Sequence, residues 1–334
     1  MKSDTKIICL TPVKNEEWIF DKFLRAANLW ADKIIVVYQE SNDNTLLICK
    51  KFKKVVVVKN KSVKYDELER QNLLIKASRK IFPNKKHILI SLDADEFLTL
   101  NNKSVREFES IKMLKRGTVI KFKWNNVKLK DNSYWEATNL MPFGFIDDGS
   151  KHTGYKIHSP RIPMPAGAPI YCPKFIQVMH YQYADWERMK SKHRWYQCWE
   201  TINNSNKNAI DIYRQYHHMF SISKNEIKKI PKKWYKLYKN KKIHLDEIRS
   251  HKTYWWDQEV VELLRKFGTK YFSKLDIWEV CWNEFSKNNN ELKDPRNFID
   301  RIVNYYLVRT QPYVNSNIRG RLIMFGDFIL KRIY

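Results

Sequence analysis

Glycine is scarce, with 8 residues in a chain of 334, and none falls between Leu10 and Glu17, where the first strand gives way to a polar loop. That argues against a glycine-rich phosphate cradle as the main binding device. No apolar run approaches the roughly 20 residues that cross a bilayer as a helix. The apolar stretch near Met1–Thr11 is too short for a secretory signal and has no small-residue cleavage site. The cysteines, Cys9, Cys49, Cys172, Cys198 and Cys281, are isolated, and no pair has zinc-site or redox spacing. A cytoplasmic protein in a reducing compartment is the expectation, soluble or peripheral at the inner face of a membrane. Acids are in deficit: 36 Asp and Glu against 62 Lys and Arg give a formal charge of +26. Such a balance suits an anionic partner. It equally suits lysines scattered over solvated faces, and sequence alone does not place them.

What is present is a globular composition, 43% hydrophobic and 14% aromatic. Ile7–Leu10, Lys33–Tyr38, Val55–Val58 and His87–Leu92 are short apolar runs that read as buried strands. Between them, Glu17–Trp30 and Tyr65–Ile81 carry apolar residues at helical spacing. Strands alternating with helices predict an α/β fold with a mostly parallel sheet covered on both faces. Ligands bind such sheets outside the carboxyl ends of the strands. Thr11–Glu16, Gln39–Asp43 and Asp93–Glu96 all fall there. Further strands are expected at Thr118–Trp124, Phe143–Ile146 and Phe175–Met179, with a loop-rich stretch over Lys151–Pro173. Helices are expected over Asp185–Trp199, Trp255–Phe267, Asp276–Phe285, Pro295–Thr310 and Arg319–Ile333, with Asp276 and Glu279 as a helix-start pair. The expected domains are a catalytic core over 1–203 and a helical C-terminal lobe over 204–334.

Asp93 and Asp95, one residue apart at a strand end, offer the oxygen ligands that Mg²⁺ and Mn²⁺ prefer. A divalent ion there would neutralise a departing diphosphate. Asp-x-Asp alone also occurs in solvated turns; its place after the fourth strand favours a site.

Three stretches in order, Thr11-Pro12-Val13-Lys14-Asn15-Glu16-Glu17, then Ile34–Val37 leading to Ser41-Asn42-Asp43-Asn44-Thr45, then Leu92-Asp93-Ala94-Asp95-Glu96-Phe97, resemble the family-two-like glycosyltransferases of the GT-A (Rossmann-like) fold. The resemblance covers about the first hundred residues and continues more loosely at Val178–Tyr181 and beyond. It implies a hexosyltransferase-like enzyme of polysaccharide synthesis, with a nucleotide-sugar donor, a glycan or lipid-linked glycan acceptor, and Mn²⁺ or Mg²⁺ as cofactor. Carried over, it places Thr11, Pro12, Asn15, Glu16, Gln39 and Glu40 around the nucleoside, and Arg70 and Asn72 on a helix facing the donor. Ala94 lies within the metal motif of Asp93 and Asp95, and His180 matches a late histidine that completes metal or diphosphate binding. Gln39 stands where relatives often carry an acid, and an amide both donates and accepts hydrogen bonds. The base read there is left open.

Other candidates rest on the residues alone. Lys156 and Arg161, near His152 and His158, suit donor phosphates or an anionic acceptor, and an ordinary polar loop equally. Lys192 and Arg194 follow His180 closely and suit a diphosphate. An inverting transfer needs a carboxylate base, for which Asp147 and Asp148 are candidates, with Asp185 and Glu187 behind them; Asp-Asp-Gly is also a common turn. The last helix sets Leu322, Phe325, Ile329 and Ile333 on one face among Arg319, Arg321, Lys331 and Arg332. It suits an anionic membrane surface, with packing on its own core the expected alternative. A nucleotidyltransferase and a basic nucleic-acid-binding protein are the competing functions; the first usually opens with a glycine-rich loop, and the second rests on charge only.

Overall fold

Side chains alternate across a strand, so a central strand that is apolar throughout needs cover on both sides. The computed structural model describes residues 4–62, 65–83, 85–204, 206–248, 254–278 and 293–334. In chain order they form β1 (Lys6–Val13), α1 (Glu17–Ala27), β2 (Lys33–Gln39), α2 (Thr45–Lys50), β3 (Val55–Asn60), α3 (Glu67–Ile81), β4 (His87–Ser91), β5 (Glu96–Leu98) and α4 (Asn102–Lys112). Next come β6 (Val119–Phe122), β7 (Trp124–Lys128), β8 (Ser133–Glu136), β9 (Met141–Ile146), β10 (Ile170–Tyr171) and β11 (Val178–His180). The remainder is α5 (Trp186–Asn203), α6 (Ala209–Tyr216), β12 (Lys228–Lys229), α7 (Lys233–Asn240), α8 (Trp255–Phe267), α9 (Phe298–Thr310) and α10 (Asn317–Ile333). The chain divides into two units, Met1–Asp185 with Lys228–Ser250, and Trp186–Ile227 with His251–Tyr334.

The first unit holds a seven-stranded sheet, ordered β10-β6-β9-β4-β1-β2-β3, and a five-stranded sheet, ordered β12-β8-β7-β11-β5. β1 pairs in parallel with β2 and β4, and β2 with β3. β9 runs antiparallel to β4 and β6. The expected α/β fold with a mostly parallel core is therefore present. Ile8, Leu10, Ile35, Val37 and Leu89 pack on one face with Leu74 and Ile75 of α3. Ile7, Cys9, Ile34, Val36, Ile88 and Ile90 belong to the core of the other face with Phe20, Phe23 and Leu24 of α1. Pro12 does not stop the first strand as the sequence suggests: it stays in register with Val37 of β2. The pairing with β4 has already ended at Leu10, so no donor is needed on that side.

Lys228–Ser250 returns to this unit. β12 pairs with β8, Trp234 packs on Tyr134 with centroids 4.7 Å apart, and the Tyr238 hydroxyl donates to the Leu98 carbonyl.

In the second unit the described segments are helical. Ile210 and Tyr213 of α6 pack with Val303 and Leu307 of α9. Arg214 binds Asp327 of α10 through two 2.9 Å hydrogen bonds and also reaches Thr310 and Gln311. A Cβ on Gly320 would lie 2.6 Å from the Val314 carbonyl, so only glycine lets α10 approach so closely there. The helix expected over Asp276–Phe285 lies beyond Trp278 outside the described residues, as does Glu279, the partner expected for Asp276.

Candidate active site

β1 leads on through α1 to β2 and β3 on one side, while β4 lies on its other side. The order therefore reverses between β1 and β4, where an open α/β sheet forms its ligand crevice. The Leu92 amide donates to the Leu10 carbonyl at 2.9 Å, so Asp93 leaves the sheet beside Thr11, which β1 still holds against Val36 of β2. Thr11 is fully buried and its hydroxyl has no hydrogen-bond partner. Such an orphaned polar atom is costly in a finished core. Just beneath, Ser91 donates to Gln71 of α3 at 3.2 Å.

Four charged residues meet at the end of β4. Arg161 donates to Asp93 at 2.7 Å and to Glu96. Glu96 also accepts from the Asp93 amide at 2.9 Å, while its second oxygen is buried without a partner. Burial pushes the Glu96 carboxyl up to about 7 against the pull of Arg161, with Asp93 and Asp95 adding to the rise. Burial alone would lower the Arg161 pKa, but the Asp93 and Glu96 carboxylates outweigh it and hold the guanidinium charged. The Asp93 side chain is 42% exposed, whereas Asp95 is buried and its carbonyl accepts from the Tyr181 amide at 2.8 Å.

An aromatic floor supports this cluster. The Arg161 guanidinium lies 4.3 Å from the Phe143 ring centroid, a cation–π contact. Phe143 meets Trp124 edge-on at 5.9 Å, and Trp124 stacks on His180 at 4.5 Å. His180 stands opposite Glu96 in the β11–β5 pairing, with its Nδ1 2.9 Å from the Asn126 side-chain oxygen. The loop carrying Arg161 is tied to the start of α3: Glu67 accepts from the Ser159 amide, and its own amide donates to Lys156.

The two neighbouring loops interlock. Asn15, in the left-handed region at φ 54°, donates its amide to Ser41 and accepts from the Asn42 amide. The amides of Glu16 and Glu17 reach Thr45 and Asp43. The Glu16 carboxylate accepts from Trp18 at 2.6 Å. Asn15 and Glu16 thus use one side-chain oxygen each within these loops. Gln39 is buried and donates to the Ser62 carbonyl at 3.4 Å. Glu40, Asn72 and Lys156 are exposed, Ala94 is buried, and Arg70 stacks over Tyr65 at 4.6 Å.

Several sequence candidates sit elsewhere. Asp147 and Asp148 lie at the amino end of β4, since the Asp147 amide donates to the His87 carbonyl at 3.0 Å. The five residues of β4, roughly 16 Å of strand, separate them from the crevice. Arg79 holds Asp147 in a forked pair, with contacts of 2.7 and 3.0 Å. Burial pushes the Asp148 carboxyl up, but hydrogen bonds from Ser150 outweigh it and hold it low. This geometry fits the turn reading that the sequence offered beside the general base. The expected metal trio is not drawn into one ligand group. Among the described residues, only His244, Asp246 and Glu247, all exposed, bring three ligand atoms within 4.8 Å of one another. The His180 ring is stacked on Trp124 and its Nδ1 lies beside Asn126. Arg194 is buried in the second unit, 3.5 Å from Asp257, and Lys192 lies on the same helix, 6.0 Å from the Tyr196 ring.

Arg161, a candidate for donor phosphates, an anionic acceptor or an ordinary polar loop, has Asp93 and Glu96 as its partners in the structure. Gln71, Glu67, Trp124 and Asn126 were missed. Of the residues around Arg161, Glu96 carried a sequence signal through its place next to the acidic pair.

No family profile and no curated protein matches the chain. Among solved structures it is similar to glucosyl-3-phosphoglycerate synthase from Mycobacterium tuberculosis, crystallised with Mn²⁺, UDP and phosphoglyceric acid (17% identity, TM-score 0.27, 36% of this chain and 43% of that one). It is also similar to S. aureus TarS (13% identity, TM-score 0.35, 92% of this chain and 55% of that one). For residues 1–349 of TarS the values are 12%, 0.33, 92% and 90%. The chain thus spans less than half of the synthase and about half of TarS. These likenesses are loose, with TM-scores well below 0.5.

Proposed function

We propose that this chain is a GT-A-type glycosyltransferase that moves a sugar from a nucleotide-sugar donor to a glycan or lipid-linked glycan acceptor. The observation that carries the reading is the meeting of Thr11 and the Asp93–Asp95 pair across the β1/β4 reversal, with Arg161 set among the acids. Three carboxylates and one guanidinium leave two negative charges when Glu96 is ionised. That remainder, all oxygen donors, suits a divalent hard cation. Asp93 and Asp95 would hold it, and when bound it supplies charge neutralisation for the departing diphosphate. Arg161 keeps Asp93 in place and offsets the repulsion between neighbouring acids. Thr11 offers an unsatisfied hydroxyl beside the donor. Trp124 and Phe143 give the site a rigid apolar floor that limits water.

The test is thermal stabilisation by UDP-, GDP-, CMP- and dTDP-sugars, with Mn²⁺ and after chelation by EDTA. A ligand that binds the native state raises the melting temperature. One donor should do so, and EDTA should remove the rise. If none of them shifts the melt with Mn²⁺ present, the proposal fails.

A further inference from the structure

The last two helices present their apolar side chains to solvent, where packing on the unit's own core was the expected alternative. In α10, Gly320, Ile323 and Asp327 are the buried positions. At 100° per residue, Ile318, Leu322, Phe325, Ile329 and Ile333 form a stripe on the opposite side. All are exposed, Ile318 at 78% and Phe325 at 63%. Helix α9 repeats the arrangement: Val303 and Leu307 face the core, while Phe298 (77% exposed), Ile302 and Tyr305 face away. The two helices are held together by Tyr306, which donates to the Ile323 carbonyl and to Asp327, and by Tyr334, which donates to Asp300 at 2.8 Å. Both stripes belong to the same unit.

The exposed charges borne by the two helices themselves are basic, with Lys331 and Arg301 paired to Asp211 and Asp294 of neighbouring segments. The acids of the two helices, Asp300 and Asp327, are both buried and hydrogen-bonded within the unit. Arg309, Arg319, Arg321 and Arg332 are exposed. Three of them lie over rings of the same region, Arg332 at 4.1 Å from Phe328, Arg319 at 5.1 Å from Tyr313 and Arg309 at 5.2 Å from Tyr305. An apolar stripe flanked by arginines matches an anionic bilayer surface, with acyl chains for the stripe and headgroup phosphates for the guanidinium groups. A second copy of the chain fits poorly, because face-to-face pairing would bring arginines against arginines with no exposed acid on either helix to neutralise them.

We propose that the α9–α10 face docks on anionic lipid bilayers, lying in the interface without crossing it. No described helix is long and apolar enough to cross a membrane. The proposal stands on this surface alone and does not depend on sugar transfer. Its test is sedimentation of the full chain, without donor or metal, on phosphatidylcholine vesicles with and without phosphatidylglycerol. Binding should require phosphatidylglycerol and weaken with salt. Leu322→Glu with Phe325→Glu should lower the partition coefficient by about tenfold or more. Arg321→Gln with Arg332→Gln should weaken binding less and flatten the salt dependence. All four side chains are exposed, so melting temperatures should stay near that of the parent and report folding of each variant. No binding to phosphatidylglycerol vesicles, or equal binding by the folded Leu322/Phe325 variant, overturns the proposal. So does a soluble dimer that this variant splits, since that result assigns the face to a second copy.

Discussion

The two units use their apolar residues in opposite ways. The first hides them on both faces of a sheet and gathers Asp93, Asp95 and Glu96 at one strand end, where Asp93 is part-exposed beside a buried Glu96. The second packs one side of each late helix and leaves the other side in water. Its buried charges serve structure: Arg214 alone ties α6 to Asp327, Thr310 and Gln311. A buried ion cluster therefore does not by itself mark a site. What separates the clusters is their surroundings. The acids around Arg161 outnumber it and one carboxylate oxygen of Glu96 has no partner, while Arg214 has an acceptor for each group it offers to α10 and its neighbours.

Breaking the second cluster should cost the most. Arg214→Ala leaves Asp327 buried without its cation, and urea unfolding should register a loss of about 3 kcal/mol. Donor-induced stabilisation in the first unit should survive wherever the variant stays folded. Asp95→Asn makes the converse cut: transfer should fall about a hundredfold or more, with the fold kept and the metal-dependent melting shift lost. Full activity in this variant would break the contrast drawn between the units.

Smaller effects sharpen it. Asp147→Ala removes the forked partner of Arg79 and should destabilise by about 1–3 kcal/mol, seen by thermal melting, and should leave specific activity near the parent's at a temperature where both are folded. Asp148→Asn should change neither, and a collapse of turnover would favour the base reading over the turn.

The units should also answer acid differently. Glu96 has its carboxyl raised from 4.5 to about 7, so between those values the native state binds the extra proton and stability falls as pH rises. His193 in the second unit, with Nδ1 2.8 Å from the Tyr216 carbonyl, is pushed down by burial from 6.5 to about 3. There the unfolded chain binds the extra proton, and stability rises with pH through that window. Hydrogen exchange resolved by segment between pH 4.5 and 7 should show these opposite slopes. Glu96→Gln should flatten the first one only.

Much of the first unit was legible because its strands are buried on both faces. Ile34–Val37 and Ile88–Ile90 leave little besides a strand to be, and the intervening helices follow from period. That put Asp93 at a strand end before any coordinates, while β1 runs past Thr11 to Val13. The second sheet was harder to read: β5, β11 and β12 have two or three residues each, too few to show alternation. Pairing decided them, including the return of Lys228–Lys229 to β8 from far along the chain.

Local pattern determined which segments become strands or helices, and that an acidic pair follows the fourth strand. Long-range contact decided what the side chains do there. Only the fold sets Arg161 among Asp93 and Glu96, turns His180 onto Trp124 and Asn126, and sends Asp147 to the far end of β4. The same limit applies to α10, whose stripe is plain in the sequence while its outward direction is not. Period records that a helix has an apolar side; it takes the partner already packed on the opposite side, at Gly320, Ile323 and Asp327, to say which way that side points.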